Sequence, residues 1–236
     1  MLKPDSIKIC SLREVEHARC VVDVGADLFG LIFVPGAGRQ VTVERAAAIV
    51  AEVRVSAASA PPLAVGVFVD ATAEEINRIV REAGLDLVQL HGSESTNLVA
   101  EIDVPAIKSV QPRVDANLDD LRTTIERYSN SSRPPIAYLI DGFHASGHGG
   151  EGVRADWKLA RQLAELYPVV LAGGLMPENV GEAIHAVTPA GVDVSSGVET
   201  EGLKDPAKIV AFSTAARAAF QATTQSRCGG RSEKPA

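Results

Sequence analysis

Eight short apolar segments, separated by stretches of helical spacing, constrain the fold of this chain more than any other feature. Continuous apolar runs of this length are typical of strands in a parallel sheet that is covered on both faces. Strict alternation of such strands with helices predicts a parallel sheet with right-handed crossovers. The predicted strands are residues 7–10, 28–34, 63–69, 87–90, 106–110, 137–140, 169–172 and 192–194.

Helix signals lie between the predicted strands. In the segment TAEEINRIVREAG the apolar residues recur at helical spacing, Thr72 with Glu75 forms a capping-box pattern, and Gly84 suits the C-terminal cap. Residues 179–187 and 206–220 are two further helical segments. The chain is therefore built from repeated strand–helix units.

The number of units selects between two parallel architectures. Eight strand–helix units within 236 residues fit a single-domain α/β fold, the (β/α)8 TIM barrel with parallel strands. The competitor, a doubly wound open sheet, is expected to carry a glycine-rich turn after its first strand. Here that position reads CSLR, without glycine. The sequence predicts a barrel over residues 1–220 and, because periodicity is lost, a disordered C-terminal tail over residues 221–236.

Charge and cysteine content narrow the classes of partner and compartment. The chain has 23 Lys and Arg against 30 Asp and Glu, a formal charge of −7. This argues against a nucleic-acid or membrane-surface partner, although a small anion held by backbone amides remains compatible with it. Three cysteines are too few for a disulfide framework in a chain of this length, and the N-terminus has no signal-peptide pattern. We expect a cytoplasmic protein, as a monomer or a homodimer.

Polar residues and glycines collect where the predicted strands end, which is the face that carries function in a barrel. The loops after strands seven and eight hold Gly173, Gly174, Ser196 and Gly197. Glycines allow backbone N–H groups to approach an anion closely, so these loops predict a phosphate site. The alternative is that they are turns that only reverse the chain.

Two residues at strand ends could act as a proton-transfer pair. Cys10 is a candidate base and Asp141 a candidate acid. The thiol must have its pKa lowered from ~8.5 or must act in a desolvated site, and the carboxyl pKa must rise from ~3.9. Arg39, on a glycine-bearing loop, is a candidate carboxylate clamp. The alternatives are a small buried residue for Cys10, a cap for Asp141 and a solvated charge for Arg39. His91 ends a strand and could line the site or be an ordinary hydrogen-bonded histidine.

Metal binding is not predicted. His144 and His148 lie four residues apart in a glycine-rich loop, but no third ligand has suitable spacing.

The ordered set of segments resembles the phosphoribosylanthranilate isomerases, the (β/α)8 enzymes of tryptophan biosynthesis. The resemblance runs from Ile7 to about Phe220. It is carried by IKIC, GADLFGLIFVPGAGRQVT, VGVFVD, GLDLVQLHG, LID with GGEGVRADW, LAGGLMPENV, and GVDVSSGVE with GLKDP. No single motif decides the matter, but the ordered set is highly specific.

The resemblance implies an Amadori rearrangement of N-(5′-phosphoribosyl)anthranilate to 1-(o-carboxyphenylamino)-1-deoxyribulose 5-phosphate. It implies that Cys10 is the general base, that Asp141 is the general acid and that Arg39 meets the anthranilate carboxylate. The two glycine loops would then hold the phosphate of this small phosphosugar substrate. No metal or organic cofactor is implied.

The chain departs from the family pattern at several positions. Ser11 stands where the family usually has glycine, and Ala37-Gly38-Arg39 stands for the usual Ser-Pro-Arg. Gly142 replaces a serine, and Glu151 replaces a threonine in a loop expected to cover the site. The acid, base and arginine are retained, which favours activity, whereas the carboxylate of Glu151 bears on loop closure and substrate affinity.

Two other functions stay open. The related aminoaldose isomerase of the histidine pathway performs the same type of rearrangement, but typically has an aspartate where this chain has Cys10. A barrel that binds a phosphosugar or a partner without turnover would account for the departures at Ser11, Gly142 and Glu151.

Overall fold

Eight parallel strands form the barrel, each followed by a helix. The computed structural model describes residues 2–111, 117–141 and 156–229, with side chains described through residue 225. The strands are β1 Ser6–Ile9, β2 Leu28–Ile32, β3 Leu63–Phe68, β4 Leu87–Leu90, β5 Ala106–Val110, β6 Ala137–Ile140, β7 Val169–Leu171 and β8 Gly191–Val194. The helices are α1 Glu16–Asp23, α2 Val43–Ser56, α3 Ala73–Ala83, α4 Thr96–Glu101, α5 Leu118–Ser129, α6 Trp157–Ala164, α7 Val180–Val187 and α8 Pro206–Gly229.

Closure of the sheet is explicit in the strand pairing. The order is β1 to β8 in sequence, and β1 pairs in parallel with both β2 and β8. The predicted (β/α)8 TIM barrel is therefore confirmed, and the open doubly wound sheet is excluded.

Four predicted strands extend past the last residue of the observed strand. Five residues lie beyond those ends, and four of them, Cys10, Val34, Val69 and Ala172, line a cavity at the barrel mouth, whereas Phe33 packs in the core outside it. The apolar pattern continues past the ladder because alternate side chains still point inward there.

The core has two parts. The larger lies between the outer faces of the strands and the helices, and contains residues such as Ile7, Phe29 and Phe212. Smaller apolar clusters fill the barrel interior, one of them built from Leu28, Val65 and Leu87 on successive strands.

The predicted ends of α3 are observed. Thr72 Oγ1 accepts a hydrogen bond from the backbone N–H of Glu75, and Gly84 caps the helix with a φ of 69°. The positive φ explains why glycine stands at this position.

A short insertion separates β8 from α8. A 3-10 turn, Ser196–Val198, leads into an antiparallel hairpin of β9 Glu199–Thr200 and β10 Leu203–Lys204. Strands of two residues are too short to produce a readable periodicity, so the sequence analysis did not predict this hairpin.

Helix α8 continues through Gly229, which corrects the predicted start of the disordered tail at residue 221. Residues 221, 222, 224 and 225 are exposed. The helix extends here because each added residue gains a backbone hydrogen bond once the helix has been nucleated, without needing an apolar face. Residues 230–236 lie outside the described part of the chain. None of the described helices is long and apolar enough to cross a membrane.

We predict that a chain ending at Ala222 keeps its activity and melts within about 2 °C of the full chain. The described side chains that it loses are exposed or half-buried, and surface changes of this kind are usually worth less than about 0.5 kcal/mol. Thermal unfolding of the two chains measures the difference. A loss of several degrees would show that the end of α8 packs on the barrel.

Candidate active site

A cavity of about 450 Å³ opens at the carboxyl ends of the barrel strands. On each strand, largely every second residue contributes to its wall, because only alternate side chains point into the barrel interior. The eight predicted site residues all line this cavity. They are Cys10, Arg39, His91, Asp141, Gly173, Gly174, Ser196 and Gly197.

The candidate base and the candidate acid enter the cavity from strands that are not neighbours. Cys10 directly follows β1 and Asp141 directly follows β6, and both are buried. In the closed sheet, β7 and β8 lie between these two strands on one side. The two groups therefore belong to different sides of the cavity wall.

A buried ion pair lies next to Cys10. Lys8 Nζ donates a hydrogen bond to Asp193 Oδ2 at 2.8 Å, and both side chains are buried. Gly30, on the neighbouring strand, leaves room for them: a Cβ built there would lie 2.5 Å from Cys10 Sγ and 3.0 Å from Lys8 Nζ. The sulfur, the ammonium and the carboxylate thus form one compact group.

The charge state of Lys8 follows from its partners. Burial lowers the pKa of Lys8, but the Asp193 carboxylate and the Cys10 thiol outweigh burial and raise that pKa above its usual value. Lys8 is therefore a permanent cation beside the Cys10 sulfur at neutral pH.

The segment QLHG supplies two cavity side chains and one packing contact. The Nε2 atoms of Gln89 and His91 lie 2.9 Å apart, within hydrogen-bond distance. Gln89 Oε1 has no hydrogen-bond partner among the described residues. Gly92 is required by close packing, since a Cβ there would lie 2.6 Å from Asp70 Cγ.

The loop after β7 is shaped by two glycines and an asparagine. Gly173 and Gly174 have φ of 84° and 62°, a region that favours glycine. Asn179 Nδ2 donates to the Gly174 carbonyl at 2.8 Å, and Asn179 Oδ1 accepts from the Met176 N–H at 2.9 Å. In the described part of the chain no hydrogen bond uses the N–H groups of Gly173 or Gly174. These donors are therefore available to an anion in the cavity.

The loops after β7 and β8 touch at Gly197. A Cβ built on Gly197 would lie 2.9 Å from the carbonyl carbon of Leu175 and 3.1 Å from Met176 Cα. This glycine is required by packing between the loops, whatever the cavity binds. A substitution at residue 197 would displace both loops and so cannot by itself measure anion binding.

Arg39 is engaged by a carboxylate of the β9–β10 hairpin. Its Nε donates to Glu199 Oε1 at 3.1 Å and its Nη2 donates to Glu199 Oε2 at 2.8 Å. Lys204 Nζ donates to Glu199 Oε1 and to the Ser195 carbonyl, both at 2.8 Å. Burial acts to raise the pKa of Glu199, but hydrogen bonds from Arg39 and Lys204 outweigh it and hold that pKa below its usual range. Two cations and one anion leave a net positive charge at the rim of the cavity.

Several side chains of this site were missed by the sequence analysis. Lys8, Gln89 and Asp193 interrupt apolar strand segments at positions of inward parity, and that interruption is a signal that the sequence contains. Glu199 and Lys204 carry no comparable local signal, because their partners come from the fold.

Four residues singled out by the sequence analysis lie outside the described part of the chain. They are Gly142, His144, His148 and Glu151.

Comparison with known proteins identifies the family. A family model described as N-(5′-phosphoribosyl)anthranilate (PRA) isomerase matches residues 7–215. The chain belongs to the PRA isomerase family. A relative of that name from Roseiflexus castenholzii is 43% identical over 215 residues, which is 90% of this chain and 98% of the relative.

Solved PRA isomerases share the fold. Monomers generated from the dimeric enzyme of Thermotoga maritima align with a TM-score of 0.74 at 32% identity, over 90% of this chain and 98% of theirs. A PRA isomerase in complex with reduced 1-(o-carboxyphenylamino)-1-deoxyribulose 5-phosphate aligns with a TM-score of 0.73 at 33% identity and the same coverage.

The segments GVDVSSGVE and GLKDP, on which the resemblance was based, both make contacts around the cavity. Asp193 pairs with the lysine beside Cys10, and Gly197 packs on the loop after β7. Glu199 and Lys204 form the ion pair that engages Arg39. Asp205 Oδ1 accepts from the N–H groups at the start of α8, which caps that helix. These two segments of the chain thus make structural contacts around the cavity.

Ser11, a residue with a side chain, occupies a left-handed conformation. Its φ is 65°, and its hydroxyl lies 2.9 Å from that of Ser195, with which it hydrogen-bonds. A residue with a side chain costs roughly 1–2 kcal/mol in this conformation. The hydrogen bond to Ser195 offsets part of that cost.

We predict that Ser11→Gly melts about 2–4 °C above Ser11→Ala. Both variants lose the hydroxyl contact, but only glycine relieves the backbone strain, by about 1 kcal/mol. Differential scanning calorimetry of the two variants isolates this strain. Equal melting temperatures would mean that the left-handed conformation costs nothing here.

Proposed function

We propose that this protein catalyses the Amadori rearrangement of N-(5′-phosphoribosyl)anthranilate in tryptophan biosynthesis. The observation that carries the proposal is the convergence of Cys10, Asp141, Arg39 and the glycine loops on one cavity. Membership of the PRA isomerase family supports the same reaction.

The reaction needs one acid and one base. Asp141 donates a proton to the furanose oxygen, and the C1′–O bond breaks to leave a protonated imine. Cys10 removes the proton from C2′, and the C–H electrons move into the imine to give an enolamine. Tautomerisation of the enolamine gives the aminoketose. The imine itself is the electron sink, so the chemistry calls for no metal or organic cofactor.

Lys8 places a cation beside the proposed base, Cys10. A thiolate is the reactive form of cysteine, and a neighbouring ammonium favours it electrostatically. Lys8 is buried beside the sulfur and balanced by Asp193, so its charge is retained in the interior.

The substrate carries an anion at each end. The carboxylate of the anthranilate ring pairs with Arg39, and the phosphate lies on the backbone N–H groups of Gly173, Gly174, Ser196 and Gly197. The name of the molecule bound to the solved family member contains the same two groups, a carboxyphenyl and a phosphate. His91 lines the same cavity and contributes to substrate binding.

The runner-up functions predict different results. The histidine-pathway isomerase typically has an aspartate where this chain has Cys10, which disfavours that substrate. A non-catalytic barrel would leave phosphoribosylanthranilate unchanged.

We expect a cytoplasmic enzyme without nucleic-acid or membrane partners. A monomer and a homodimer both agree with the fold, and the enzyme of Thermotoga maritima is named as dimeric.

The direct test is turnover of phosphoribosylanthranilate by the purified protein, followed by the loss of its fluorescence. We predict that Cys10→Ala and Asp141→Asn each lower kcat by about 10²–10⁴-fold, because general acids and bases contribute that much. Circular dichroism and thermal unfolding should show a retained fold. A variant that keeps more than a tenth of the kcat would refute the role given to its residue.

A second prediction concerns Lys8. In Lys8→Met the alkylation of Cys10 by iodoacetamide should slow by about tenfold, because the nucleophilic sulfur loses the cation beside it. Mass spectrometry reports labelling at Cys10, with the half-buried Cys20 as the internal reference. Unchanged labelling of Cys10 would mean that Lys8 only balances the charge of Asp193.

A further inference from the structure

The loop that carries Arg39 does little to orient its side chain. Gly36, with a φ of 75°, and Gly38 precede Arg39 and add no side-chain packing. The backbone bonds within the loop are the Ala37 N–H to the Val34 carbonyl and the Gln40 N–H to the Ala37 carbonyl. The Arg39 side chain is 31% exposed. Its direction is therefore set by contacts from outside the loop.

The β9–β10 hairpin provides those contacts. Glu199 and Lys204 are directly opposed in the antiparallel pair, so their side chains lie on the same face. Both side chains are buried, with 6% and 3% of their surface exposed. Lys208 Nζ also donates to the Glu199 carbonyl at 2.7 Å, which fixes the backbone from α8.

The geometry of the guanidinium leaves one edge open. Glu199 occupies the edge formed by Nε and Nη2. Within the described residues no hydrogen bond uses Nη1 of Arg39. The end formed by Nη1 and Nη2 remains for a second carboxylate, and a planar fork suits bidentate pairing.

We propose that Glu199 is a positioning residue, which holds the guanidinium of Arg39 so that its open end meets the carboxylate of the substrate. Lys204 links Glu199 to the phosphate loop, since its Nζ donates both to Glu199 and to the carbonyl of Ser195. The hairpin then sets the spacing between the two anion-binding ends of the cavity. This inference rests on the proposed function, which places a carboxylate against Arg39.

Electrostatic repulsion by Glu199 would change the affinity for the substrate in the opposite direction. The charge of Glu199 repels an incoming carboxylate, so removal of that charge would tighten binding if repulsion were the larger effect. We expect orientation to outweigh repulsion, because two cations, Arg39 and Lys204, oppose the single carboxylate of Glu199. The sign of the change on substitution therefore decides between the two effects.

The test compares Glu199→Gln with Glu201→Gln, which removes the same charge from the exposed turn of the same hairpin. Steady-state kinetics on phosphoribosylanthranilate give KM and kcat, and competition experiments give Ki for anthranilate and for inorganic phosphate. For Glu199→Gln we expect KM and the anthranilate Ki to rise by about tenfold, with kcat within about threefold and the phosphate Ki unchanged. Glu201→Gln should match the wild type in all four constants.

Glu199→Asp separates position from charge. It keeps the negative charge but shortens the side chain, so it also raises KM if orientation matters. In an Arg39→Ala background, Glu199→Gln should cause no further change in the anthranilate Ki, because the group that it positions is gone.

Three outcomes would overturn the inference. Tighter anthranilate binding by Glu199→Gln would show that repulsion dominates. An equal rise of the phosphate Ki and the anthranilate Ki would show a general distortion of the loops. A Glu199→Asp variant with the KM of the wild type would show that the position of the carboxylate is irrelevant. An inactive wild-type protein would instead refute the proposed function, whereas an active wild type with any of these results refutes the positioning role alone.

Discussion

The parity of side chains along parallel strands governs the chemistry of this barrel. Alternate residues face inward, so each strand contributes a vertical series to the interior. On β1 the series runs through Lys8 to Cys10, and on β8 through Asp193 to Ser195. A shift of one residue in either strand would turn a charged side chain toward the apolar layer under the helices.

Buried lysines in this protein differ in what surrounds them. Lys8 faces both Asp193 and Cys10, and its pKa is raised despite complete burial. Lys108 faces Glu94 at 3.0 Å, yet burial outweighs that partner and lowers its pKa. Lys108 instead donates to backbone carbonyls and braces the loop that follows β4. A buried ion pair adds little net stability but fixes one arrangement, because removal of either partner leaves an uncompensated charge.

The sequence predicts the barrel and the main cavity residues because both depend on local pattern. Cys10 ends the first apolar run and Asp141 follows the sixth, and strand ends mark the functional face of a barrel. The pairing of Arg39 with Glu199 cannot be read in this way, since the two residues lie 160 positions apart. The end of α8 also escapes pattern reasoning, because a helix can extend without an apolar face.

The contact at Gly197 has a consequence for how such barrels change. The backbone of Leu175 and Met176 lies where any side chain at residue 197 would stand. The loops after β7 and β8 therefore interlock through main-chain atoms. Neither loop can be lengthened or exchanged alone. A transfer of this site between related barrels would have to move both loops together.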